Sequence, residues 1–205
     1  MANKCFYTIG YGKSKREEFI AKLIKYRVKY LVDVRSSPKS SHNHDYDKES
    51  LENELKKNGI SYEWLGDYIG GRSSNDELFV NNVISYEKLV ETEKFKKGLE
   101  LLKEIVAQND VCIMCSEWNP MDCHRFMAIS KKLSEEGYRI EHILSNGKHI
   151  KQENLELKLI SLYYSDNRQI SLFDNDAVDE REESYKKHNV LKGYKKEYKN
   201  QKDKK

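Results

Sequence analysis

Five short apolar runs punctuate this chain at intervals long enough to hold a helix between successive runs. They are CFYTI (residues 5–9), YLVDV (30–34), ISYEWL (60–65), VCIMC (111–115) and RIEHIL (139–144). Runs of this length read as strands. YLVDV and VCIMC are nearly continuously apolar, which suits strands buried on both faces of a parallel sheet. Phe19, Ile20, Leu23 and Ile24 follow the first run at helical spacing, behind a Ser14/Glu17 capping box. Helices are further predicted over 48–58, ended by Gly59, and over about 86–107. Another runs from Asn119 and Pro120 to Glu136, and a last one covers 153–164. Strands alternating with helices predict an α/β fold, three-layer α/β/α, with a mainly parallel, Rossmann-like sheet of about five strands. The expected organisation is a single α/β domain over 1–165 and a charged C-terminal extension over 166–205.

Composition excludes some classes. No apolar run approaches the roughly 18 residues of a membrane span. The start, MANKCFYTIG, lacks a basic segment followed by an apolar signal core. The cytoplasm is the expected location, and Cys5, Cys112, Cys115 and Cys123 read as thiols or metal ligands rather than disulfides. The formal charge of +3 is unevenly spread. Residues 174–183 carry six acids against one arginine, and residues 186–205 carry nine lysines against two acids. That basic tail fits either contact with nucleic acid or a solvated segment.

In such a sheet, ligands bind beyond the carboxyl ends of the strands. The unusual residues gather there. The first strand leads to Thr8, Gly10 and Tyr11, the second to Asp33, Arg35 and Ser36, and the third to Gly70, Gly71 and Arg72. The fourth delivers Cys115 and Glu117, followed by Cys123, His124 and Arg125. Arg35, Arg72 and Arg125 offer forks for phosphate or carboxylate, with Thr8, Gly10 and Ser36 as further substrate contacts. GYGKS (10–14) lacks the full spacing of a phosphate loop.

CSEWNPMDCHR (115–125) admits three readings. Cys115, Cys123 and His124 have the atoms for zinc or iron, with Glu117 or Asp33 as oxygen ligands. On a regular helix, however, the adjacent Cys123 and His124 point about 100° apart. Cys112 should face away from Cys115, because side chains alternate along a strand. Alternatively, Cys123 in a first helical turn is a thiolate nucleophile, although the Cys-x5-Arg spacing of a phosphatase loop is missing. In the third reading Asp33 and Glu117 divide acid and base work, with Arg35, His124 and Arg125 positioning phosphate groups. Tyr11 and His124 complete the candidate catalytic residues. Asp33 serves equally well to orient Arg35. The motifs name no cofactor.

QISLF (169–173) resembles the short peptides that dock proteins on a bacterial replication sliding clamp. Gln169, Leu172 and Phe173 would be its contacts.

Four segments, TIGYGKSKREEF, YLVDVRSSPKS, YEWLGDYIGGR and CSEWNPMDCHR, stand in the order and spacing of proteins grouped as domain of unknown function 488. The resemblance covers about residues 6–145 and implies an α/β/α three-layer domain. It singles out Thr8, Gly10, Asp33, Arg35, Pro38, Gly70, Gly71, Cys115, Glu117, Cys123, His124 and Arg125. Many members carry histidine where this chain has Tyr11. The leading functional expectation is an enzyme acting by acid–base hydrolysis on a phosphate-bearing nucleotide or nucleic acid. The alternatives are a non-catalytic, DNA-associated module docked to the clamp, and a Cys/His metal-dependent hydrolase or thiol redox protein.

Overall fold

The structure is a computed structural model that describes residues 5–40, 42–164 and 175–196. Its elements begin with β1 (Cys5–Gly10), α1 (Arg16–Lys25), β2 (Tyr30–Asp33), α2 (Lys48–Lys57), β3 (Ser61–Trp64) and α3 (Gly66–Ile69). A small hairpin, β4 (Phe79–Val80) and β5 (Val83–Ile84), precedes α4 (Tyr86–Val90) and α5 (Glu93–Gln108). Then come β6 (Val111–Cys115), α6 (Lys131–Glu135), β7 (Arg139–Ile143), β8 (His149–Lys151), α7 (Gln152–Tyr163) and α8 (Asn175–Lys192).

The main sheet has the order β3-β2-β6-β1-β7-β8. Its first five strands pair in parallel, and β8 joins β7 antiparallel. Helices cover both faces, making a three-layer α/β/α, Rossmann-like fold with a mixed, mostly parallel sheet. Strand β6 is buried at every residue, as a central parallel strand requires. Its side chains alternate between two cores. Cys112 and Met114 pack with Phe19, Leu23, Leu51 and Leu55 from α1 and α2. Ile113 and Cys115 pack with Phe95, Leu99 and Leu102 from α5. Cys112 and Cys115 thus face opposite layers.

The structure departs from the sequence expectations in three helical places. Helix α1 starts at Arg16, and its N-cap, Lys15, makes no side-chain cap bond, so the Ser14/Glu17 capping box is not formed. The helix expected over 86–107 breaks after Val90, where Thr92 caps α5 by accepting from the Phe95 N–H. The helix expected from 119 to 136 is three pieces. Asn119 caps a 3-10 turn over Pro120–Asp122, Cys123 is extended, and a π-helical stretch over Arg125–Ser130 leads into α6.

The C-terminal helix lies on the domain. Tyr185 is buried in the α5-side core, stacked on Phe126 at 5.4 Å, and its hydroxyl bonds Glu156. Beyond α8, the Ile84 N–H donates to the Tyr194 carbonyl, and Lys195 bridges Val83. The acidic and basic blocks meet on this helix, where Lys186 pairs with Glu183, and Arg181 pairs with Glu156 of α7. The clamp-like peptide, 169–173, lies outside the described residues.

Candidate functional site

Strands β2, β6 and β1 are neighbours, so their carboxyl ends share one rim. Pairing continues past the strands: the Tyr11 N–H donates to the Cys115 carbonyl and the Gly12 N–H to that of Ser116. The 115–118 turn is thereby tied to the β1 exit. Gly10 makes this approach possible, because a Cβ there would lie 1.8 Å from the Glu117 carbonyl oxygen. Arg125, fully buried, holds the turn from the other side. Its Nη1 donates to the Glu117 carbonyl at 2.5 Å and its Nη2 to that of Trp118 at 3.3 Å. Arg125 thus positions the loop through its backbone.

The side chains of this turn converge. Cys115 Sγ, Cys123 Sγ and a His124 ring nitrogen all lie within 4.8 Å of one another. Glu117 Oε2 accepts from both thiols, at 2.8 Å from Cys115 and 3.2 Å from Cys123. His124 Nε2 is 3.0 Å from the Val34 carbonyl. A carbonyl only accepts, so Nε2 carries a proton. In the neutral ring, Nδ1 then presents a lone pair toward the two sulfurs, 3.8 Å from Cys115 and 3.6 Å from Cys123. The helical-wheel objection to a shared ligand set fails because Cys123 is not helical; its φ of −130° and ψ of 144° bring its sulfur beside the following histidine.

Electrostatics follow from burial and proximity. Burial pushes the Cys115 thiol well above its ordinary range, and the neighbouring Cys123 and Glu117 add to the shift. For Glu117, burial acts upward, but the Cys115 hydrogen bond and the His124 ring outweigh it and hold the carboxyl at about 2. Burial opposes charging of His124. Cys115 and Glu117 reverse that and raise its pKa.

Zn–S bonds of about 2.3 Å and Zn–N bonds of about 2.0–2.1 Å set sulfur and nitrogen roughly 3.6 Å apart in a tetrahedron. The two sulfur–Nδ1 distances match that figure. Two thiols, one imidazole anchored through its far nitrogen to a backbone carbonyl, and an adjacent carboxylate fit a zinc-class ion.

A cleft of about 650 Å³ opens over this cluster. Tyr11, Arg35, Ser36 and Arg72 line it together with Cys115, Glu117, Cys123 and His124. Thr8 and Asp33 do not. Thr8 is buried, with its hydroxyl 2.8 Å from His142 Nδ1. Asp33 is buried in a closed set: both carboxylate oxygens bond Arg35, and Oδ2 also accepts from the Tyr62 hydroxyl at 2.7 Å. Arg35 gives its remaining donors to the carbonyls of Tyr46 and Pro38 and to the Tyr11 hydroxyl. Of the two roles expected for Asp33, this geometry favours orienting Arg35. Ser36 Oγ accepts from the Arg72 N–H, and the Arg72 guanidinium lies 4.9 Å from the Tyr194 ring centroid. Gly71 packs against His124, where a Cβ would meet the ring at 2.6 Å.

Among the other lining residues, Lys39, His42, Tyr86, Lys192 and Tyr194 are not in the sequence reading's site. No local pattern marks Tyr86. Lys192 and Tyr194 fall in the segment read only as a basic tail.

A family model described as "Domain of unknown function DUF488" matches residues 15–131. No curated protein and no solved structure matches the chain. Among the described residues, no helix is long and apolar enough to cross a membrane.

Proposed function

We propose that this chain, which belongs to the DUF488 family, is a metal-dependent hydrolase acting on a phosphate-bearing substrate. The observation that carries the reading is the convergence of Cys115, Cys123 and His124 within 4.8 Å on the floor of a cleft. A bound zinc-class ion would supply Lewis acidity and lower the pKa of a water. The chain's own groups divide the remaining work. His124 is fixed by Val34, so its Nδ1 stays aimed at the sulfurs. Glu117, on the cleft lining and partly open to it, is the group placed to take a proton from the attacking water. Lys39 and Arg72, both exposed along the cleft, supply positive charge for phosphate. Relative to the acid–base pair expected from sequence, this assigns the base to Glu117 and moves Asp33 into a supporting role.

The test is elemental analysis of chain purified without chelator or affinity metal, followed by hydrolysis assays on nucleotides and oligonucleotides. About one zinc-class ion per chain is expected, absent in Cys115→Ser, with turnover lost on chelation and restored by Zn²⁺. Turnover indifferent to chelation, or failure to bind Zn²⁺ tightly, would overturn the reading.

A further inference from the structure

Arg72 lines the cleft from an exposed position, where a long side chain has many rotamers and holding its fork in one place costs entropy. Its backbone is fixed beside the cysteine–histidine cluster. The Arg72 N–H donates to Ser36 Oγ at 3.0 Å, and the preceding Gly71 packs against the His124 ring. Among the described residues the guanidinium has no acidic partner; it lies over the Tyr194 ring, 4.9 Å from the centroid. An aromatic face attracts a guanidinium without accepting its in-plane N–H groups, so the fork stays open to an anion. A carboxylate in the same place would occupy it, as Asp33 occupies that of Arg35. Lys192, on the same wall, is occupied in that way, with its Nζ 3.1 Å from Asp122 Oδ1.

Tyr194 can support Arg72 because it is itself anchored. Its carbonyl accepts from the Ile84 N–H at 2.9 Å, Lys195 bridges Val83, and the Lys196 N–H donates to the Asn82 carbonyl. Its ring meets Phe79 edge-on, with centroids 6.3 Å apart. The β4–β5 hairpin thus fixes residue 194 on the cleft wall, within reach of Arg72.

We propose that Tyr194 is a positioning residue for Arg72, and that the segment following α8 thereby completes a subsite for the substrate's phosphate. The ring holds the guanidinium at the cleft, and two of its N–H groups grip the phosphate as a fork. Holding the side chain in place before the ligand arrives lowers the entropy lost on binding. The proposal rests on the reading that the cleft takes a phosphate-bearing substrate.

The experiment titrates inorganic phosphate into the full zinc-loaded chain by calorimetry. The variants are Arg72→Ala, Tyr194→Leu, Tyr194→Phe and the double variant Arg72→Ala/Tyr194→Leu. Leucine keeps an apolar contact for Phe79 and removes the π-face. Arg72→Ala should weaken phosphate by about 10- to 150-fold, the range of a hydrogen bond to a charged group. Tyr194→Leu should weaken it by about 2- to 30-fold, the range of a cation–π contact. Tyr194→Phe keeps the ring and should bind as the parent does. In the Arg72→Ala background, Tyr194→Leu should cause no further loss, a coupling that a merely structural role would not produce. Parental affinity in Tyr194→Leu, or an equal loss with and without Arg72, would overturn the positioning role. The phosphate reading would survive either result, because Arg72→Ala would still lose affinity. A parent that binds no phosphate, or Arg72→Ala with parental affinity, would overturn both.

Discussion

Asp33 and Arg35 leave the carboxyl end of β2, and Cys115 and Glu117 leave that of β6, the adjacent strand. Both pairs are polar, both sit at the rim, and both look like chemistry in the sequence. Their surroundings differ. Both Asp33 carboxylate oxygens have partners within the protein, and the Asp33 bonds hold the Arg35 guanidinium firmly charged against the pull of burial. Around Cys115 the groups face one another: two thiols share one carboxylate oxygen, and a ring nitrogen points between the sulfurs. The first arrangement is complete. The second gathers sulfur and nitrogen atoms within 4.8 Å of one another, a group that could hold an ion. The same contrast separates two buried histidines. His142 has both nitrogens engaged, by Thr8 and Gln152, whereas His124 anchors one and directs the other at the cysteines.

The comparison breaks most visibly at the cysteines. Cys115→Ser or Cys123→Ser should reduce zinc affinity by more than the about 10–100-fold typical of losing an outer-shell partner, measured by competition with a chromophoric chelator. Asp33→Ala should leave zinc stoichiometry intact and instead cost about 3–5 kcal/mol of stability in urea, because it strands a buried arginine. If Asp33→Ala lost the metal and kept its stability, the two roles would be reversed. Gly10→Ala should cost about 1–3 kcal/mol, since its methyl collides with the Glu117 carbonyl, and should lower zinc affinity through that displaced turn.

The histidine contrast gives a pH test of smaller size. Burial holds His142 down at about 3, while an unfolded histidine titrates near 6.5. Between those values the unfolded state binds the extra proton, so stability is full above about 6.5 and falls as pH drops toward 3. The slope from this one group is about 1.4 kcal/mol per pH unit. His142→Gln should flatten it in denaturation curves between pH 4 and 6.

Much of this architecture was legible in sequence. Five apolar runs predicted five parallel strands, and the topology that places their ends together predicted the rim. The sixth strand and the hairpin were not legible, because two or three residues carry no period. The site was legible in residue types but not in geometry. Apolar spacing reads 119–136 as one helix, which sets Cys123 and His124 apart. An extended Cys123 ahead of a π-helical turn reverses that conclusion, and its cause lies in packing: Arg125 is drawn in to bond the 117 and 118 carbonyls. Arg125 itself read as an anion ligand, since sequence cannot show that its donors are turned to backbone. Lys192 and Tyr194 reach the cleft only because Tyr185 docks the last helix through the core.

Zinc K-edge X-ray absorption on the zinc-loaded chain tests the central claim most directly. The account predicts two sulfur scatterers at about 2.3 Å, with nitrogen or oxygen at about 2.0–2.2 Å completing four-coordination. A first shell of nitrogen and oxygen alone would contradict it, since the ion would then lie away from Cys115 and Cys123.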